Sequence, residues 1–204
     1  SFVFAGVLAM LISYFTIPII VRLALQKGLV DNPNHRTSHN GAVPVLGGVA
    51  IFAGLVLGGS MFLPEEDLNP FRYIVAAIII LFFVGQKDDL QSITARNKFI
   101  AQLISAFLIV VFANIRIATL HGFLGIHEIP DWTSVILSIF LIVLIVNSFN
   151  LIDGIDGLAS GIGIVVAGTF GLWLYGLGYY NIAVLASALA GGLTPFFFFN
   201  VFGI

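Results

Sequence analysis

The sequence is divided into about seven apolar runs, and these runs restrict the chain to one kind of fold. Most of them approach the roughly 20 residues that a helix needs to cross a bilayer. They are continuously apolar, whereas the strands of a membrane β-barrel are shorter and alternate apolar with polar residues. We therefore predict an all-α, polytopic transmembrane helical bundle. The runs cover roughly 2–21, 43–63, 71–86, 99–120, 133–149, 158–176 and 181–202.

The composition also indicates a membrane protein. Of the 204 residues, 59% are hydrophobic and 9% are charged, whereas an average soluble domain carries about 25% charged residues. The 22 glycines suit closely packed membrane helices. The chain has no cysteine, which excludes disulfides and thiolate sites, and no basic cluster indicates nucleic-acid binding. Because no linker divides the chain, we predict a single transmembrane catalytic domain over residues 1–204.

The distribution of Lys and Arg predicts the orientation, because loops rich in these residues face the cytoplasm. One set of connections carries six of them, and the other carries only Arg72 and Arg116. We therefore place the N-terminus outside and the Asn147–Gly157 stretch on the cytoplasmic side. The six residues of the first set are Arg22, Lys27, Arg36, Lys87, Arg96 and Lys98.

The most informative polar stretch separates two apolar runs. Within it, amides and carboxylates recur every third residue, at Asn147, Asn150, Asp153 and Asp156. Charge beside hydrocarbon is costly and indicates function, and on a helix this spacing forms one slowly drifting stripe. Such groups, with glycines beside them, suit a hydrated divalent cation that holds phosphates. The alternative is two Asp-Gly turns that cap the next helix, and the spacing alone leaves both interpretations open.

Two further polar loops lie on the same predicted side of the membrane. Asp88 and Asp89 are adjacent carboxylates, which repel each other unless a cation lies nearby, and Lys98 can meet phosphate charge. Arg36 and His39 in the first loop can contact phosphate, although the pattern alone favours an ordinary solvated loop. The second carboxylate cluster on one membrane face favours a metal site over solvated turns.

Three motifs in this order resemble the polyprenyl-phosphate N-acetylhexosamine-1-phosphate transferase family, also called glycosyltransferase family 4. The resemblance begins near residue 15 and continues to the end of the chain. The motifs are Asp31-x-Pro33-x-x-Arg36-x-x-His39 with Pro44-x-x-Gly47-Gly48, then Asp88-Asp89 with Lys98, then Asn147-x-x-Asn150-x-x-Asp153-Gly-x-Asp156-Gly-Leu158.

The resemblance implies an enzyme of the bacterial inner membrane. Such an enzyme transfers a sugar-1-phosphate from a UDP-sugar to undecaprenyl phosphate at the cytoplasmic face, releases UMP and requires Mg²⁺ or Mn²⁺. The motifs look more like the branch that uses UDP-N-acetylglucosamine for cell-envelope polysaccharides, including lipopolysaccharide. The alternative branch uses UDP-N-acetylmuramoyl-pentapeptide for peptidoglycan. The sugar, the polymer and the formation of a homodimer stay open.

The resemblance also implies roles for the site residues. Asp88, Asp89 and Asp153 would hold the metal ion, and Asp156 would complete the set of catalytic carboxylates. The substrate-binding residues would be Arg36, His39, Lys98, Asn147 and Asn150. Asn200, at the end of the last apolar run, is a further candidate.

The ends of the chain lead us to expect a fragment. The sequence begins with Ser1 in apolar sequence and ends at Ile204 just after an apolar run, whereas the family continues with loops that carry another metal-binding Asp and a His. A cation-coupled transporter is the competing class, but the carboxylates cluster at one membrane face and no inverted repeat is visible. A third interpretation is an inert fragment whose loops only cap helices.

Overall fold

In a computed structural model, the chain is described over residues 1–31, 43–44, 46–63 and 68–202. Seven α-helices follow one another in these residues, which confirms the all-α prediction. A two-residue antiparallel pairing of β1 (Val30–Asp31) with β2 (Val43–Pro44) is a small exception that the apolar pattern did not predict. The helices are α1 (Phe2–Lys27), α2 (Gly47–Phe62), α3 (Leu68–Leu90), α4 (Ala95–Phe107), α5 (Asp131–Ile152), α6 (Leu158–Gly176) and α7 (Tyr180–Phe202).

Among the residues that the structure describes, five helical segments are long and apolar enough to cross a membrane, so the chain is a membrane protein. These are α1, α5, α6, α7, and α4 together with a π-helical turn that extends it to Phe112. The helix α2 is apolar but has only 16 residues, which is short of the roughly 20 that a straight crossing requires. The number of spans and the outside position of the N-terminus stay predictions.

The helical segment of α4 and its π-helical turn begins and ends earlier than the predicted run of 99–120. The helix begins before the predicted start because Thr94 is its N-cap, with an extended backbone and a hydroxyl that accepts from the Asn97 N–H at 3.4 Å. It ends before residue 120 because Asn114 adopts a positive φ of 54°. Beyond it, the backbone contacts α5, where the Ile117 N–H donates to Ser138 Oγ at 2.9 Å.

The chain divides into two compact units. Unit 1 comprises Ser1–Glu66 and Leu151–Ile204, and unit 2 comprises Asp67–Asn150. Unit 1 therefore contains α1, α2, α6 and α7, whereas unit 2 contains α3, α4 and nearly all of α5. Both units are built from helices, and the single catalytic domain stays a prediction.

Unit 1 is packed through small residues that let helix backbones touch. Ala5, Ala9 and Ser13 form a buried face of α1 with a spacing of four residues. A Cβ added at Gly54 of α2 would lie 2.8 Å from the Ala9 carbonyl oxygen, and one added at Gly191 of α7 would collide with backbone atoms of α1. Close backbone contact at small residues is the usual way in which membrane helices associate, since lipid provides no hydrophobic driving force between them.

Candidate active site

The first cluster of predicted site residues lies in unit 2, where α3 ends and α4 begins. The Asp88 carboxylate has two partners there: its Oδ1 accepts from the Ile93 N–H at 3.1 Å, and its Oδ2 pairs with the Lys98 ammonium. Both side chains are partly buried. Asp88 therefore fixes the turn between the two helices. Asp89 is exposed beside it.

The second cluster, also in unit 2, connects α4 with α5. The Asn147 Nδ2 donates to Gln102 Oε1 at 2.8 Å and to the Val143 carbonyl oxygen at 2.8 Å. In return, the Gln102 Nε2 approaches Asn147 Oδ1 at 3.5 Å. Asn150 follows one turn later on α5 and is exposed. The sequence analysis missed Gln102. Its position in an apolar helix, four residues after Lys98 and so on the same face, was the signal that could have identified it.

The third cluster is the connection from α5 to α6 in unit 1. The helix α5 ends at Ile152, so Asn147 and Asn150 are helical, whereas Asp153 and Asp156 lie in the following turn. The prediction that all four residues form one stripe on a continuous helix therefore holds only for Asn147 and Asn150. Both carboxylates are exposed at the end of the membrane helices.

Gly157 closes this turn and is the N-cap of α6, with a positive φ of 74°. This backbone conformation favours glycine, and an added Cβ would also collide with Val201 of α7. The Gly157 N–H donates to Asn200 Oδ1 of α7 at 2.6 Å. A capping turn is thus present, and Asn200 of α7 supplies one of its capping groups. Asn200 is the most clearly positioned of the candidates in unit 1.

The environment of the turn changes the acidity of one carboxyl. Dehydration by the surrounding protein atoms raises the pKa of Asp153 above its ordinary value, although part of the side-chain surface stays open to solvent. A nearby cation would oppose this shift, because it favours the charged carboxylate.

Beside the same turn, an apolar groove of about 340 Å³ runs along α6. It starts at Gly157 and continues past Gly161 to Val165 and Val166. It is open, and its lining comes from Gly157 and the first turns of α6 alone, so an apolar helix surface begins directly after the carboxylate turn.

The remaining predicted residues, Arg36 and His39, lie outside the described residues. They belong to the segment between β1 and β2, whose backbones pair at Val30 with Pro44 and at Asp31 with Val43. At the end of this segment, Gly47 begins α2, and a Cβ added there would lie 2.5 Å from the Phe196 ring of α7.

The donor chemistry fits the predicted cation. Among the described residues, no group of three His, Cys, Asp or Glu side chains could enclose a metal ion. Mg²⁺ does not need such a group, because it is commonly held by one or two carboxylates and completes its coordination with water and substrate phosphates. Asp153 and Asp156 supply hard oxygen ligands of this kind, and the roles predicted for Asp88 and Asp89 stay predictions.

Apolar helices with carboxylates and amides at their ends define a membrane-embedded helical protein with a polar site at the membrane boundary. The model of glycosyl transferase family 4 matches residues 71–203. The match covers more than half of the chain, which therefore belongs to this family, and the resemblance deduced from the three motifs is confirmed.

Curated relatives support the same family. An undecaprenyl-phosphate alpha-N-acetylglucosaminyl 1-phosphate transferase of Yersinia pestis is 28% identical over 186 residues, which cover 88% of this chain and 49% of that protein. The protein of the same name from Escherichia coli O157:H7 is 28% identical over 189 residues, with equal coverage. A Bacillus subtilis (strain 168) protein named "Probable undecaprenyl-phosphate N-acetylglucosaminyl 1-phosphate transferase" is 32% identical over 206 residues, which cover 95% of this chain and 55% of that protein. The chain spans about half the length of the curated relatives it matches.

Proposed function

We propose that the complete gene product transfers N-acetylglucosamine 1-phosphate from UDP-N-acetylglucosamine to undecaprenyl phosphate and releases UMP. The reaction takes place at the cytoplasmic face of the bacterial inner membrane. The observation that carries the proposal is the turn with Asp153 and Asp156, which puts two exposed carboxylates at the ends of two apolar helices. The names of the relatives supply the substrate class.

The chemistry requires little covalent participation by the protein. A phosphate oxygen of the lipid attacks the phosphorus that bears the sugar, and the bond from that phosphorus to the UMP oxygen breaks. The second pKa of a phosphomonoester is near 6, so the attacking lipid phosphate is largely a dianion at neutral pH and needs no strong base. Positioning and charge neutralisation then supply most of the rate enhancement.

The protein groups have separate tasks in this scheme. Asp88, Asp89 and Asp153 would hold a divalent cation, with Asp156 as the further carboxylate. Mg²⁺ or Mn²⁺, when bound, would supply positive charge to offset the negative charge that develops on UMP as it leaves. Asn150, Lys98, Arg36 and His39 bind the phosphates and the nucleotide.

The groove along α6 supports a lipid substrate. Its apolar lining begins at Gly157, directly beside the carboxylate turn. An isoprenoid chain that carries a phosphate needs an apolar surface next to a polar one, because both parts of the molecule must leave their preferred solvents together. A turn at the membrane boundary also remains accessible to a soluble nucleotide.

The test is Mg²⁺-dependent UMP release by the complete gene product in detergent with added undecaprenyl phosphate. UDP-N-acetylglucosamine and UDP-N-acetylmuramoyl-pentapeptide are offered separately. Release with only the first supports the proposal, and release with only the second assigns the peptidoglycan branch. If folded protein releases no UMP with either donor, the proposal fails, and cation-coupled solute flux in vesicles becomes the measurement for the transporter class.

A pair of variants links this activity to the turn. We expect Asp153→Asn to lower the rate of UMP release at least about 100-fold, since metal coordination contributes several kcal/mol to such reactions. The matched control is Asp131→Asn, which removes a carboxylate at the opposite end of α5, where the side chain is 88% exposed. Equal activity of the two variants would contradict the assignment of Asp153.

A further inference from the structure

The amide pair formed by Gln102 and Asn147 is unusual for its surroundings. Both residues lie in helices that are apolar enough to cross a membrane. Gln102 is half-buried and Asn147 is exposed, and an amide on a helix surface that faces lipid is costly unless it is hydrogen-bonded. Each of the two amides serves as the other's partner across the helices, and the Asn147 Nδ2 also returns to the Val143 carbonyl oxygen of its own helix.

The pair matters for the rotation of α5 about its axis, because few other contacts connect α4 with α5. Along the described residues, α4 and α5 otherwise approach each other only sparsely. A shift of one residue along a helix corresponds to a rotation of about 100°, which would turn Asn147 away from Gln102. The pair therefore helps to set the rotation of α5 near its C-terminal end, as the Ile117 hydrogen bonds to Ser134 and Ser138 do nearer its start.

The same rotation decides where the next motif residue lies. Asn150 follows Asn147 by three residues, which is about 60° around α5 and about 4.5 Å further along its axis. The helix ends two residues later at Ile152. Any error in the rotation at Asn147 is transferred directly to Asn150.

The partner helix is itself fixed by polar contacts. Lys98, Gln102 and Ser105 lie on one face of α4 because they are four and three residues apart. Lys98 pairs with Asp88 of α3, and Ser105 Oγ donates to the Ala77 carbonyl oxygen of α3 at 3.2 Å. The face that positions the Asp88 turn therefore also carries the contact to α5.

From these contacts we infer that Gln102 is a positioning residue for the reaction, which acts through Asn147 to fix the rotation of α5 and the direction of Asn150. This assignment changes the role expected for Asn147, whose amide is used by the protein and not by the substrate. The inference rests on the proposed function, because its effect is measured on UMP release.

The first experiment compares three forms of the complete gene product. We expect Gln102→Leu to lower kcat at least about tenfold with little change in KM for the UDP-sugar, since a misplacement of about 1 Å costs up to about 100-fold in rate. The exchanged pair Gln102→Asn with Asn147→Gln keeps one amide on each helix and should recover most of the rate. The matched control is Ser105→Ala, which removes an interhelical hydrogen bond from the same face of α4 and should keep kcat.

Two results would overturn the inference. If Gln102→Leu and Ser105→Ala lower kcat equally at equal folded fraction, the pair contributes only to packing. If the exchanged pair stays as slow as Gln102→Leu, one of the amides contacts the substrate itself and does not act through the other.

A second experiment tests the pair without relying on activity. This sequence has no cysteine, so Gln102→Cys and Asn147→Cys introduce its only two thiols. In a complete gene product without other cysteines, this double variant is treated with a short bifunctional thiol reagent in native membranes. We expect an intramolecular cross-link, and none when Cys is placed at Gln102 and Ile136, a residue near the start of α5. Absence of the first cross-link overturns the inference. If this cross-link forms but the unmodified complete gene product releases no UMP, the inference on the pair stands and the proposed function alone is contradicted.

Discussion

The two units of the molecule hold their helices together in different ways. In unit 1, glycine and alanine let backbones touch, as at Gly54 against Ala9 and at Gly191 against Gly6. In unit 2, polar side chains form the contacts between helices, as in the pair of Asp88 with Lys98 and the Gln102 amide pair. The backbone contacts of unit 1 are disrupted when a side-chain atom is added at these glycines. The polar contacts of unit 2 are lost when either partner of a pair is removed.

The largest expected effect tests the backbone contacts of unit 1. Gly191→Val places a side chain where a Cβ already collides with Gly6 of α1. Such overpacking must separate α1 from α7, and we expect the free energy of unfolding to fall by about 3 kcal/mol. The measurement is the unfolding transition in mixed micelles.

The control for this variant is Gly168→Val on α6, where an added Cβ meets no atom within 4 Å. We expect the unfolding free energy to change by no more than about 0.5 kcal/mol. If both variants lose similar stability, the cost lies in replacing glycine itself, and close contact does not distinguish unit 1.

The next effect tests the loss of a partner in unit 2. Lys98→Met leaves the partly buried Asp88 carboxylate without its ammonium, and we expect a loss of about 1 kcal/mol in the unfolding free energy. Adding Asp88→Asn to Lys98→Met should recover part of the loss, because the uncompensated charge is removed while an oxygen remains for the Ile93 N–H. A double-mutant cycle measures this coupling, and additive losses would show that the ion pair does not stabilise the turn.

A smaller effect compares one type of hydrogen bond in the two units. Ser13 Oγ donates to the Ala50 carbonyl oxygen at 3.1 Å in unit 1, and Ser105 Oγ donates to that of Ala77 at 3.2 Å in unit 2. Interhelical hydrogen bonds contribute about 0.6 kcal/mol on average in membranes. We expect Ser105→Ala to exceed this value and Ser13→Ala to fall below it, because backbone contacts keep α1 against α2. Equal losses in unfolding experiments would contradict the distinction between the units.

The smallest effect is a dependence of stability on pH. Dehydration raises the pKa of the Asp153 carboxyl above 3.8, so between the two pKa values the folded chain keeps a proton that the unfolded chain releases. Stability is therefore higher at the acid end of this window and decreases as the pH rises through it. In metal-free buffer, unfolding midpoints of the unmodified protein and of Asp153→Asn should differ in slope within the window. Parallel profiles would show that Asp153 titrates alike in both states.

The helices were predictable because each follows from a local property of the chain. Hydrocarbon length and continuous apolarity identify α6 and α7 almost to the residue and α5 to within three residues, whereas α1 continues six residues beyond its predicted end, to Lys27. The errors lie where a single side chain overrides the pattern: Thr94 starts α4 early, and the positive φ of Asn114 ends that segment although the next residues are also apolar.

The candidate site residues come from the sequence and their roles stay predictions, whereas most of their contacts could not be predicted. Asp153 and Asp156 were identified by their position between apolar runs, whereas the division into two helical amides and two carboxylates in a turn depends on where α5 ends. The pairing of Gln102 with Asn147 and of Asn200 with Gly157 joins residues 45 and 43 positions apart. Such contacts are set by helix packing, which the local pattern of one sequence does not encode.

The contact between Asn200 and Gly157 has a consequence for biosynthesis. The polar turn leaves the ribosome 43 residues before the side chain that completes it. A nascent chain in which α7 has not yet inserted therefore lacks the Asn200 oxygen that accepts from the Gly157 N–H. The N-terminus of α6 reaches its final hydrogen bonding only when α7 enters the membrane, so the order of helix insertion decides when this turn is completed.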